Sequence, residues 1–283
     1  MGTRTYSRRG VDGFRRPTAL GIRSGRYTGN TAIGSTSQRL GTGVRWNPLE
    51  RKPAVKVSNI EDAYDEIRKG NYVTLDTGQQ VHTMIKDLND YVAAREAQGD
   101  NVGNLDLCRV SIPGTNLFCG SSVATDRHPE GIPRQEMPQL SGIPLPGSRA
   151  SELKAFDNEG NVDIAGALME RLAEQGIKTT EKTVSASSLK ASQHQLKGKT
   201  VSFFLTPRGQ KILDDPTAVI YVSNDGYVID GHHRWAGKIA QDLANGRTGD
   251  AKIKVRVIDM PIMEVLDAAL DHAEYMGIRP NTV

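Results

Sequence analysis

Between residues 79 and 98 the apolar positions Val81, Ile85, Leu88 and Val92 recur at spacings of three and four, the signature of a helix with one buried face. Upstream, Ser58 stands as an N-cap, with Glu61 as its capping-box partner and Gly70 as a stop. That arrangement predicts a helix over 58–69, followed by a short strand at 72–76. His82, inside the longer helix, reads as an ordinary helix residue. From residue 105 the pattern becomes short and extended: strands at 105–112 and 117–119 around a turn at Pro113-Gly114-Thr115-Asn116 predict a hairpin. A loop-rich stretch punctuated by Pro129, Pro133, Pro138, Pro144 and Pro146 comes next and reads as a wrapped segment or an interdomain linker.

In the second half, Ile164, Leu168 and Leu172 share one face of a helix expected over 162–175 and ended by Gly176. Strands are expected at 183–186 and 218–223. The turn Asn224-Asp225-Gly226, in which Asp225 reads as structural, leads into a strand at 227–229 that runs directly into Asp230-Gly231-His232-His233-Arg234-Trp235. A helix at 235–245, an alternating strand at 252–258 and a helix at 262–276 complete the pattern. The expected fold class is α+β. A small mixed sheet with helices occupies 161–283, a smaller α+β domain occupies 51–128, and the Pro-rich linker at 129–160 joins them.

Composition changes this picture mainly at the start of the chain. Residues 1–50 hold nine arginines and no lysine against Asp12 and Glu50, a net charge of +7. The whole chain of 283 residues carries only +3, so the remainder is acidic by about four charges. Arginines including Arg4, Arg8, Arg9, Arg15, Arg16, Arg23 and Arg26 are interleaved with glycine, serine and threonine without helical or strand periodicity. Such an arm is expected to be extended or disordered on its own. Arginine grips phosphate or carboxylate bidentately, so the arm suits docking onto nucleic acid or a neighbouring subunit; an inert solubilising tail is the other reading. No run approaches the roughly 20 apolar residues that span a bilayer, and the start is Arg-rich rather than apolar, so neither a membrane partner nor export by a signal peptide is expected. Cys108 and Cys119 lack CxxC spacing and sequence-adjacent histidines, and are expected to be two buried thiols.

The hexapeptide at 230–235 carries the chemistry. An apolar strand that ends on an acid and a glycine and passes into a helix builds an anion site: unpaired N–H groups and the positive end of the helix dipole face the ligand, and Gly231 admits it close to the backbone. Arg234 adds a bidentate charged contact. His232 and His233 are candidates for donating hydrogen bonds or shuttling protons, and Asp230 for a general base or a carboxylate bound to a divalent metal such as Mg2+.

This arrangement resembles the second box of the ParB family, whose Gly-Glu-Arg-Arg-Trp-Arg-Ala pattern opens a helix and binds a nucleoside triphosphate; Gly231, Arg234 and Trp235 match it. It is also similar to the Gly-Cys-His-Arg motif of sulfiredoxins at Gly231, His233 and Arg234. His232 stands where their catalytic cysteine would be, which speaks against sulfinic acid reduction. The stretch Val184-Ser185-Ala186-Ser187-Ser188-Leu189-Lys190-Ala191-Ser192-Gln193 resembles the strand and polar turn that open these domains, and the resemblance makes Gln193 a second pocket candidate. The pieces Val110 through Cys119, Gly131-Ile132-Pro133-Arg134 and Met137-Pro138-Gln139 resemble ParB-like nuclease proteins of bacteriophages and their bacterial relatives.

The resemblance implies a ParB/sulfiredoxin-like domain that binds nucleotide or nucleic acid phosphate through Gly231, His233, Arg234 and Gln193. Asp230, His232 and His233 would be catalytic groups of a metal-dependent nuclease or nucleotide phosphohydrolase, located in the host cytoplasm or the virion. A virion protein that keeps the fold without catalysis, docking on capsid subunits or packaged genome through the arm, is the competing expectation. Sequence-specific DNA binding is a weaker third, because no helix-turn-helix signal follows the motif.

Overall fold

The computed structural model describes residues 53–111, 118–119, 123, 128–216, 219–244 and 249–278. The expectations for the arginine arm, and for the turn at Pro113 to Asn116, lie outside these residues.

Helix α1 (Ile60–Arg68) starts one residue later than expected. Asn59, rather than Ser58, is its N-cap and accepts a hydrogen bond from the Asp62 N–H at 2.8 Å. Thr77 and Gln80 form a capping box at the start of α2 (Gly78–Ala97), whose buried face carries Val81, Met84, Ile85, Leu88 and Val92. Strands β1 (Val55–Lys56), β2 (Val73–Thr74) and β3 (Val110–Ser111) pair in parallel. The long strand expected at 105–112 is therefore reduced to its end. Asp106 caps a 3-10 turn at Leu107–Arg109 by accepting the Cys108 N–H, which takes those residues out of extended geometry.

Ser141–Gly142 (β4) pairs antiparallel with Val162–Asp163 (β5). The helix expected from 162 accordingly begins later, as α3 (Ala165–Glu174), with the Asp163 carboxylate accepting the Ala165 N–H at 2.8 Å. The main sheet has five strands in the order β6 (Thr179–Ser185), β10 (Lys252–Ile258), β8 (Ile220–Ser223), β9 (Tyr227–Asp230) and β7 (Lys190–Ala191). β6 pairs with β10 along all seven residues and forms one edge, where Glu181 meets Lys254 at 3.2 Å and Arg256 at 3.0 Å. β8 and β9 form the expected hairpin, and β9 passes into α6 (His232–Asp242). Two short helices, α4 (Gly198–Phe204) and α5 (Pro207–Leu213), were not anticipated, and α7 (Ile262–Met276) closes the described chain with the expected bounds. No helix among the described residues is long and apolar enough to cross a membrane.

One hydrophobic core runs across the boundary expected at 129–160. Met84, Ile85 and Leu88 of α2 are buried in the same cluster as Leu196, Val201 of α4, Trp235 and Ile239 of α6, and Ile253 and Val255 of β10. Polar contacts reinforce the joint: Ser202 Oγ donates to the Lys86 carbonyl at 3.2 Å, and His82 Nδ1 donates to the Ala240 carbonyl at 2.7 Å. The Pro-rich segment itself packs through Ile132, Met137, Leu140 and Ala150 into a second cluster with α3, α7 and the other face of the sheet. Cys108 and Cys119 are buried, as expected, but joined in a disulfide instead of remaining free thiols, since the fold brings their Cα atoms within 4.8 Å.

The α2–α4 joint leaves no room for a side chain at Gly198, where a Cβ would lie 2.6 Å from both the Leu105 carbonyl oxygen and Leu88 Cδ1. Gly198→Ala should therefore destabilise the fold by about 1–3 kcal/mol, the usual cost of overpacking. A lowered urea midpoint would show this, whereas an unchanged midpoint would mean that the two halves do not share this contact.

Candidate functional site

Hydrophobic alternation puts Val228 and Ile229 on opposite faces of β9, and the strand ends where Gly231 takes φ +94°, a left-handed conformation that favours glycine. A Cβ there would also press on Ile220 Cγ1 at 3.1 Å. Gly231 is the N-cap of α6 and supplies no side-chain cap. The first intrahelical bond runs from the Trp235 N–H to the Gly231 carbonyl at 2.9 Å. The preceding N–H groups, on His232, His233 and Arg234, thus have no carbonyl of their own helix to pair with. Trp235 anchors the turn from behind, buried, with Nε1 donating to the Ala186 carbonyl at 2.8 Å.

Asp230, Gly231, His232, His233, Arg234 and Gln193 all line one pocket of about 250 Å³, so the structure brings together every expected site residue that lies within the described chain. The opposite wall is the Pro-rich segment: Arg134, Met137, Gln139, Leu140 and Ser141. That wall is held in place by the bridge between Ile132 and Gln193, the His194 N–H donating to the Ile132 carbonyl at 2.8 Å, and the His128–Glu136 pair at 3.0 Å.

The two histidines have different status. His232 is buried, and its Nε2 accepts the Ser192 N–H at 3.2 Å, with the Ser192 hydroxyl also at 3.1 Å, while a further hydrogen bond joins the ring to the Val228 carbonyl. An amide N–H can donate only to a bare ring nitrogen, so the imidazole is neutral with its proton on Nδ1. Burial, with His233 and Arg134 adding repulsion, pushes its pKa down to about 3. The expectation that His232 shuttles protons is corrected on this ground: both nitrogens are committed within the protein. His233 Nε2 accepts the Lys197 N–H at 3.0 Å, so the ring proton is on Nδ1, and the residue lines the pocket. Its pKa falls to about 4 through burial, Arg134 and Lys197.

Burial likewise holds the Asp230 carboxyl above the usual range; Arg234 and the Gly231 N–H oppose the rise, and Asp163 adds to it. Asp230 is the only carboxylate among the lining residues, so the pocket offers a divalent cation a single anionic ligand, and burial already raises the pKa of that carboxyl. This donor set does not fit a protein-held metal ion. Among the described residues, the group of side chains close enough to share an ion is instead Cys108, Cys119 and His194, where the cysteines are disulfide-bonded.

Arg234 reaches back to donate from Nη1 to the Val219 carbonyl at 2.9 Å. Arg134 is the residue that the motif did not reveal. It is half-buried on the pocket wall, has no carboxylate partner within ion-pair distance among the described residues, and burial lowers its pKa. Gln193 is buried and donates from Nε2 to the Gln195 carbonyl at 2.6 Å, so its amide supports the wall of the pocket. No family model matches the chain, and neither the curated proteins nor the solved structures contain a match to it.

Both histidines start from an ordinary value of 6.5. Below that pH the unfolded chain takes up protons that the folded chain refuses. Stability should be full above about pH 6.5 and fall as the pH drops toward about 4, by roughly 3 kcal/mol per histidine. Urea unfolding at pH 7.5 and 4.5 should show a smaller loss for His233→Gln, whose amide oxygen still accepts the Lys197 N–H. Equal losses would remove His233 from the account.

Proposed function

We propose that the pocket at the start of α6 binds a phosphate group of a nucleotide or nucleic acid, in the manner of ParB-like proteins. One observation carries this reading: the open first turn of α6 shares the pocket with Arg134, a half-buried guanidinium without an acidic partner among the described residues. An isolated cation in such a place costs desolvation energy that an anion would offset. Helix N–H groups and an arginine fork are complementary to phosphate oxygens, and the His233 Nδ1–H adds a neutral donor.

At about 250 Å³ the pocket lies below the roughly 300–1,000 Å³ typical of sites that enclose a drug-sized ligand, so the phosphate would enter while the remaining nucleoside or strand stays outside. Hydrolysis of a bound phosphoester belongs to the same proposal. Asp230, whose carboxyl burial holds above the usual range, is the group placed to move a proton, and His233, with Nε2 held by the Lys197 N–H, serves as a hydrogen-bond donor to the phosphate. Any Mg2+ in that reaction would arrive with the nucleotide and be held chiefly by its phosphates.

Thermal shift with orthophosphate, ATP, CTP, GTP and short single-stranded DNA, each with and without Mg2+, provides the test. Arg134→Ala should weaken binding at least tenfold for whichever ligand stabilises the wild type, about 1.4 kcal/mol, while leaving the unliganded melting temperature nearly unchanged. Arg234→Ala should weaken binding and also lower the unliganded melting temperature, because the Val219 contact is lost. The absence of a shift with every ligand, or the same affinity in Arg134→Ala, would reject the proposal. If hydrolysis occurs, Asp230→Ala with His233→Ala should abolish it.

A further inference from the structure

We infer that Cys108, Cys119 and His194 form a thiol-gated site for a thiophilic divalent ion, Zn2+ being the natural occupant once the disulfide is reduced. One ligand atom from each of the three side chains lies within 4.8 Å of the others. A disulfide needs no imidazole beside it, whereas two thiolates and a histidine nitrogen are a donor set that zinc takes, with water in the fourth position.

The surroundings support a ligand role. Both cysteines are fully buried. The Tyr72 hydroxyl, also buried, hydrogen-bonds His194 Nε2 at 2.8 Å, the kind of contact that orients a metal-binding imidazole. Asp106 Oδ1 accepts both the Cys108 N–H at 3.0 Å and the Leu196 N–H at 2.8 Å, which ties the turn carrying Cys108 to the segment carrying His194. Arg109 lies over the Tyr72 ring at 5.3 Å and helps to fix the tyrosine that holds His194.

The chemistry is balanced by a dithiol reductant. It passes two electrons to the Cys108–Cys119 bond and becomes a disulfide itself, each freed sulfur takes one proton, and Zn2+ then displaces both protons to solvent. His194 lies between Ser192 and Lys197, the residues whose N–H groups hold His232 and His233, so the occupant of this site bears on the wall of the phosphate pocket. The metal site itself does not depend on what that pocket binds.

Cobalt titration of the full-length protein tests the inference. After anaerobic reduction and removal of the reductant, the wild type should take up one equivalent of Co2+ with a sulfur-to-cobalt charge-transfer band, and Zn2+ should bleach that band. The unreduced protein should show none. His194→Gln should weaken Co2+ binding at least tenfold with the far-ultraviolet circular dichroism unchanged, and Tyr72→Phe should weaken it by a smaller factor. A reduced wild type without the band, or a band whose affinity both variants leave unaltered, would overturn the site. Should His194→Gln fail to fold, the wild-type spectrum and Tyr72→Phe decide the matter.

Discussion

Two backbone amides, those of Ser192 and Lys197, have imidazole nitrogens rather than carbonyls as acceptors, and much of the site depends on that choice. Each of these bonds requires a bare ring nitrogen, and the Ser192 amide, buried, has to be paired. Consecutive histidines at the start of a helix are thereby fixed as neutral, their tautomers are set, and the segment 192–197 is fastened to α6 at both ends. Fastened in this way, the segment can carry Gln193 into the pocket wall and His194 toward the cysteine pair on the other side. Neutral histidines also leave the arginines as the cations of the pocket, which concentrates its positive charge on Arg134 and Arg234.

The packing makes this possible by refusing to separate the chain into independent halves. Helix α2 contributes its whole apolar face to the core that also buries Trp235 and Ile239, so the platform beneath α6 comes from residues more than a hundred positions earlier. The segment 131–141 then closes the pocket from above, anchored by Ile132 and Leu140 in the second cluster. A wall made from a loop becomes a fixed wall when its apolar residues are buried and its backbone is bridged to a strand end, as at Ile132 and Gln193.

What could be read from the sequence follows from the range of the forces involved. The faces of α2, α3 and α7, the hairpin at 220–230 and the motif at its end are local patterns, and periodicity exposed them. Helix α5 is locally encoded as well: Thr206 is its N-cap and Pro207 occupies the first turn, a pairing that favours a helix start. The Ser58 and Asn59 positions differ by one residue because both side chains can cap, and only the packing of Ala63, Tyr64 and Ile67 chooses between them. Arg134 sits in a stretch without period, about a hundred residues from the helix it faces, and nothing local marks it as a pocket residue. The disulfide and the loss of His232 as a proton carrier were equally hidden, since each depends on which groups tertiary packing places beside a side chain.

The outer edge of the five-stranded sheet has a consequence for behaviour in crowded solution. β6 reads Thr-Thr-Glu-Lys-Thr-Val-Ser, its first five residues are exposed, and Glu181 is engaged with Lys254 and Arg256 across the pair. A strand arriving from another copy would have to desolvate this ladder of charges to reach the free amides and carbonyls. The longest open edge in the described fold is thus a poor template for intermolecular β-pairing, and chains held at high local concentration are kept from zipping together along it.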